Sequence, residues 1–467
     1  MIGGSGRVGS GVAKGTGVVD DGLAGRVAGL MGRAWGDLAE LVAIPSVADP
    51  RQQPVERCRE AAEWVAAAFA EVGLRDVRLV ETPDGSFAVL GHRPPPPGAP
   101  TVLLYCHYDV QPPLDDAAWV SPPFELTERE GRWFGRGAAD CKGNVVMHLT
   151  ALRALGDDLP VGVKLVVEGS EEQGTGGLEA YLAEHPDELH ADALLICDTG
   201  NAAVGVPTAT VSLRGMANVV VTVRTLESDL HSGMFGGPAP DALAALIRIL
   251  DSLRDVHGGT RIEGLPADGS WEGVGYDEQQ FRSDAGVLDG VGLTGSGTVA
   301  DRLWARPAVT VLGIDCAPVV GSASAVPAEA RARVSLRVPP GMDPEAAQRA
   351  LTAHLVAAAP WGARVEVEPE AKGSPFRAAT DGKAYAALDL AAREAYGRPL
   401  SFLGQGGSIP LCSALAAQYP ESEIILMGVE EPRSLIHAPN ESVDPGEIEH
   451  MALVEALFLR HYAASGR

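Results

Sequence analysis

The chain has 467 residues, more than one compact core holds, and its 46% hydrophobic content excludes a disordered polymer. With 62 acidic against 37 basic residues the net charge is −25, which argues against nucleic acid and anionic membranes as partners. No apolar run is long enough to span a bilayer, and the six cysteines, with no CxxC pair, read as reduced thiols of a cytoplasmic protein.

The opening stretch MIGGSGRVGSGVAKGTG has no apolar h-region, so residues 1–22 read as a flexible leader rather than a secretory signal. Gly4-Ser-Gly6-Arg-Val-Gly9 matches GxGxxG, but no strand precedes it and it is set aside. Helical spacing then runs through LAGRVAGLMGRAWGDLAELV and again through ERCREAAEWVAAAFAEVGL. Short apolar runs follow, SFAVLGHR, TVLLYCHYDV, VGVKLVVEGS and ALLICDTG, with a helical NVVMHLTALRALG among them. Strands alternating with helices predict an α/β domain with a mainly parallel sheet flanked by helices.

Near Ser212 the pattern changes. MANVVVTVRTL and ARARVSLRVPP alternate apolar and polar residues, helices fit PDALAALIRILDSLRD and DPEAAQRALTAHLVAAA, and ARVEVEPE closes the set. That order predicts an inserted α+β lid of ferredoxin-like type over residues 212–372. The α/β character returns after it, so the catalytic domain is expected to be discontinuous, formed by 23–211 and 373–467.

The chemistry-bearing residues cluster at strand ends. His107 and Asp109 end one strand two residues apart, hence on one side, where the carboxylate can orient an imidazole that binds metal. Asp140 follows a glycine-bracketed turn and has two oxygens with which to bridge cations. Glu171 and Glu172 follow another strand and, as neighbours, point opposite ways, one toward a metal and one toward an activated water. Asp198 ends a further strand and His437 lies in a loop after the last. Carboxyl ends of parallel strands collect on one edge, where ligands bind. Imidazole and carboxylate without thiolate suit zinc, manganese or cobalt better than calcium.

Taken in order, HYDVQP, GRGAADCKG, EGSEEQGTGG, CDTG, SDLHSGMFGG, VSLRVPPGM, GGSIP and HAPNES resemble the carnosinase, aminoacylase and carboxypeptidase G family of dinuclear metallopeptidases. The likeness is to its cytosolic non-specific dipeptidase branch and runs from about Leu38 onward. It implies a zinc-exopeptidase-like catalytic domain holding two divalent ions, zinc first, with manganese or cobalt as alternatives. Asp140 would bridge the ions, with His107 and Asp198 on one and Glu172 and His437 on the other. Glu171 would be the general base, Asp109 would steady His107, and the Asp140–Cys141 peptide would be cis.

The same resemblance gives His231 the task of reaching a partner subunit's site, which implies a homodimer through the lid. Arg337 would clamp the substrate's terminal carboxylate. Gly406, Gly407 and Ser408, at an expected helix N-terminus, would favour the same anion, with Ser324 in the same pocket. The expected reaction is hydrolysis of an amide bond in a dipeptide. N-acyl-amino-acid deacylases, biosynthetic amidohydrolases and carboxypeptidases share the machinery, and a catalytically silent binding protein would keep the fold without it. The segment between Asp255 and Trp304 and the motif LWARPAVTVLGID favour the dipeptidase by likeness.

Overall fold

A computed structural model describes residues 21–407 and 409–465. The rest of the expected leader, residues 1–20 with the GxGxxG match, and Ser408 lie outside the described residues. The first helix spans Asp21–Val42.

One nine-stranded sheet organises the larger part of the molecule. At its centre Gly162–Glu168, Thr101–His107, Ala193–Cys197 and Glu423–Met427 lie side by side and all parallel. The flanks are antiparallel: Phe87–Arg93 joins one side, and Thr208–Leu213 the other through a single bridge. Strands covered on both faces need no polar alternation, which is why VVE, LLYCH and ALLIC read as unbroken apolar runs. One face packs under Asp21–Val42, Lys142–Leu155, Lys383–Tyr396 and Pro445–Ser465, and the other under Gly177–Glu184 and Pro410–Gln418. Helix Lys142–Leu155 is buried along nearly its whole length between its neighbours.

Residues 215–373 form a second layer pair with its own core. Its order is strand Gly215–Arg224, helix Ala242–Asp251, strands Ala308–Asp315 and Glu329–Val338, helix Pro344–Ala357 and strand Arg364–Gly373. The four strands are antiparallel in the spatial order second, third, first, fourth, which is the ferredoxin-like arrangement. Ala308–Asp315 is an edge, with Val311, Leu312 and Ile314 exposed along it.

Only two crossings join this layer pair to the main sheet, at 213–215 and 373–376, and they touch: a Cβ on Gly215 would lie 2.3 Å from the Gly373 carbonyl oxygen. The long excursion between helix Ala242–Asp251 and the edge strand folds back onto the main sheet. Val274 donates to the Phe402 carbonyl at 2.9 Å, and Trp304 fills the space a Gly404 side chain would need.

Candidate metal centre

The four central parallel strands end on one edge, and each delivers an acid or an imidazole there. His107 is the last residue of its strand and pairs in register with Glu168. Asp198 follows Cys197 on the neighbouring strand, and Glu171 and Glu172 open the short turn that leaves Glu168. Asp140 enters from the loop before helix Lys142–Leu155, through a cis Asp140–Cys141 peptide as expected. His437 arrives last, in a loop where Leu435, His437 and Asn440 all take positive φ.

Asp140 stands in the middle. Its Oδ1 is 3.0 Å from His107 Nε2, which lies 3.0 Å from Asp198 Oδ1. Its Oδ2 is 3.0 Å from His437 Nε2, which lies 3.3 Å from Glu172 Oε2. One carboxylate therefore faces two separate imidazole–carboxylate pairs, one through each oxygen. His107 turns its other nitrogen to Asp109, where the main-chain carbonyl accepts at 3.0 Å and the carboxylate stands at 3.3 Å. The second Asp109 oxygen accepts from the Glu172 N–H at 3.1 Å, so this buried acid ties the two halves together.

The electrostatics describe a crowd of negative charge. Burial raises the carboxyls of Asp198 and Glu172 against the opposing pull of His107 and His437, and burial followed by neighbouring acids raises Glu430 and pushes Glu171 up to about 9. Burial opposes charge on His107, yet Cys141, Asp198, Asp109 and Asp140 outweigh it and hold the ring well above its ordinary range. Asp140 is the exception, kept low against burial by His107 and His437. Buried carboxylates within 4.8 Å of one another are unfavourable without compensation. Among the described residues Glu172 Oε1 and Asp109 Oδ1 are buried acceptors with no hydrogen-bond donor. Imidazole and carboxylate donors, spare lone pairs and excess negative field fit divalent cations.

Several contributors were not singled out from the sequence. Glu430 is buried and its carboxylate falls within ligand distance of Asp140 and Asp198, as the Cys141 thiol does of His107 and Asp198. Glu441 is fully buried and holds the loop carrying Asp140 (below). Gln111 donates to Glu172 Oε2 at 2.7 Å. The HAPNES and HYDVQP motifs contain Glu441 and Gln111, but neither stands at a strand end, the signal that marked the ligands.

Beside the cluster lies a cavity of about 370 Å³, lined by Glu171, Glu172, Ser170, Met216, Ile409 and His437 among others. Met216 comes from the lid layer and the rest from the main sheet's edge. Arg337 pairs in register with Met216 on the adjacent lid strand. Gly406 and Gly407 follow strand Ser401–Gln405 and precede helix Pro410–Gln418. Arg337, Gly406 and Gly407 do not themselves line the cavity, nor do His231 and Ser324, which are exposed.

Residues 103–461 match the peptidase family M20/M25/M40. The chain is 46% identical over 440 residues to the cysteinylglycine-S-conjugate dipeptidase of Corynebacterium striatum, covering 92% of this chain and 95% of that one. It is 29% identical over 436 residues to the Cys-Gly metallodipeptidase dug1 of Schizosaccharomyces pombe, covering 87% and 90%. Among solved structures, human carnosine dipeptidase 1 superimposes with a TM-score of 0.77 at 25% identity, covering 95% of this chain and 98% of that one.

Proposed function

This chain belongs to the peptidase family M20/M25/M40, and on that premise we propose that it is a metal-dependent dipeptidase acting on cysteinylglycine-type dipeptides, including those substituted on sulfur. The observation that carries the reading is Asp140, whose two oxygens address two separate His–carboxylate pairs. His107, Asp198 and one oxygen of Asp140 would hold one divalent ion, and His437, Glu172 and the other oxygen a second, zinc first, with manganese or cobalt as alternatives. When bound, the ions would lower the pKa of a shared water toward neutrality and polarise the scissile carbonyl.

The protein's own groups do the rest. Glu171, on the cavity wall, takes a proton from the attacking water and returns it to the leaving amine. Asp109 fixes the orientation of His107 through its carbonyl and carboxylate. Arg337 and the Gly406–Gly407 loop hold the terminal carboxylate, with Ser408 and Ser324 assigned to the same pocket.

We assign a homodimer in which His231 of each lid donates to the substrate carbonyl in the other subunit. His231 is exposed rather than part of its own chain's cavity, and strand Ala308–Asp315 offers an unpaired, partly apolar edge on the lid. All six cysteines are unpaired, which supports a cytoplasmic setting. Among the described residues no helix is long and apolar enough to cross a membrane.

The test compares metal-stripped and metal-reloaded enzyme on cysteinylglycine, S-methylcysteinylglycine, N-acetylglycine and a tripeptide. The reading expects metal-dependent turnover of the two dipeptides above the others. Preference for N-acetylglycine would make the enzyme a deacylase, and preference for the tripeptide a carboxypeptidase. No turnover in any metal-loaded form would leave a binding protein.

A further inference from the structure

Arg214 occupies the first crossing between main sheet and lid, after Leu213, the last residue of its strand, and before Gly215, the first residue of the next. The sequence VSLRGMANVVV gives it no distinction, since it reads as one polar position in an apolar run. In the fold it is 7% exposed, and among the described residues neither its Nε nor its Nη1 has an acceptor. Its Nη2 points at the glycine loop: a Cβ on Gly406 would lie 2.8 Å from it. Among the described residues no acid pairs with Arg214.

The neighbour it does have repels it. Burial first, and the charge of Arg337 second, bring the Arg214 guanidinium down to about 10, which leaves it charged at neutral pH. Among the described residues the Arg337 side chain also has no ion-pair or hydrogen-bond partner. Arg337 pairs in register with Met216, two residues beyond Arg214, so the two arginines leave adjoining backbone positions, and like charges of which one is buried are strongly unfavourable without an anion. A buried positive charge kept with its donors open, two residues from the cavity-lining Met216, is a site that lacks its ligand.

Resting on the reading that the substrate ends in a free carboxylate, we propose that Arg214 is a second anchor for that carboxylate, gripping it from the hinge while Arg337 grips it from the lid. A carboxylate has two oxygens and about four lone-pair directions, enough for two guanidinium forks. The position suits this. Arg337 pairs with Met216, two residues beyond Arg214, and Met216 lines the cavity with Glu171 and His437. Gly406 lacks the side chain that would block Arg214. A carboxylate held by both arginines also joins the lid to the hinge, so the two layers are fixed relative to each other when substrate is bound.

The test is a binding measurement that needs no turnover. The probes are cysteinylglycine with its peptide carbonyl reduced to a methylene, and the C-terminal amide of the same compound, each titrated calorimetrically into metal-loaded enzyme. The wild type is expected to prefer the acid by about tenfold or more. Arg214→Gln should remove most of that preference and leave the affinity for the amide unchanged, and Arg337→Gln should do the same. Arg214→Lys, which keeps the charge and loses the fork, should retain part of it and serves if the glutamine variant melts early. An acid preference that survives in Arg214→Gln, an equal weakening of acid and amide, or a wild type indifferent to the two would overturn the proposal. The dipeptidase reading fails separately, if the wild type binds the acid probe but cleaves no dipeptide.

Discussion

Glu441 accepts the backbone N–H of Asp140 at 3.0 Å across 301 residues of sequence. The same carboxylate takes the N–H groups of Ala139 at 3.0 Å and Gly137 at 2.9 Å, and Arg136 Nη1 at 2.7 Å, all without exposure to solvent. The loop that presents the central acid of the cluster is thus shaped by a residue four places beyond His437. Replacing Glu441 with Ala leaves three buried amides without that acceptor and the Arg136 guanidinium without its carboxylate, held only by the Pro112 and Ala438 carbonyls. Breaking a buried pair of this kind costs roughly 3–5 kcal/mol. The expected outcome is a markedly lower melting temperature and weaker metal binding, read by thermal unfolding with and without metal. A variant that melts and binds metal like the wild type would show that the loop is held by something else.

Glu171→Gln keeps the volume of the side chain but cannot take a proton. If Glu171 is the general base, turnover falls by about 10²–10⁴ while the metal-to-protein ratio stays the same. Both are measured on one preparation, kcat on a dipeptide and metal by elemental analysis. Turnover within a few-fold of wild type removes Glu171 from the mechanism. A parallel loss of metal would make it a ligand instead.

If His231 serves the neighbouring subunit, two dead variants should rescue each other. Co-expressed Glu171→Ala and His231→Ala chains form hybrid dimers with one intact site each, and random pairing recovers about a quarter of wild-type activity. A mixture no more active than its components would return His231 to its own chain's site, or to none.

Asp84 braces the turn that carries Glu171 and Glu172. It accepts from Thr82 Oγ1 at 2.6 Å, Ser170 Oγ at 2.7 Å, the Ser86 N–H at 3.1 Å and Thr175 Oγ1. Burial pulls its carboxyl up, but bonds from Thr175, Thr82 and Ser170 outweigh that and hold it well below the usual range. A folded-state pKa below the unfolded value of about 3.9 gives stabilisation that is complete above that pH and is lost as the pH falls toward the folded value. In urea unfolding from pH 7 to pH 3, the stability gap between wild type and Asp84→Asn should therefore be constant near neutrality and close below about pH 4. A gap independent of pH would mean that the asparagine costs packing rather than charge.

The convergence of His107 and Asp198 on one edge was legible because parallel strands are buried on both faces and end together. An apolar run terminated by His107, or by Cys197 before Asp198, announces both its burial and its open end. The βαββαβ order of the lid was legible for a related reason, since its strands are covered on one face and alternate. Strand Arg75–Glu81, mostly exposed and rich in charge, has neither signature and was not singled out. Glu430, Glu441 and Arg214 were hidden differently. Each is a buried charged residue whose meaning lies in a partner, or the want of one, brought from far along the chain, and single-residue patterns carry no record of that. The sequence also does not say that Glu423–Met427 lies between Ala193–Cys197 and Thr208–Leu213, because neighbours in a sheet are chosen by packing.

That last placement bears on how the protein is born. The strand between Ala193–Cys197 and Thr208–Leu213 is synthesised more than two hundred residues after both. A nascent chain still on the ribosome therefore has a sheet with its middle missing and no His437 to complete the cluster. The side chains of the cluster thus come together only when translation is nearly done.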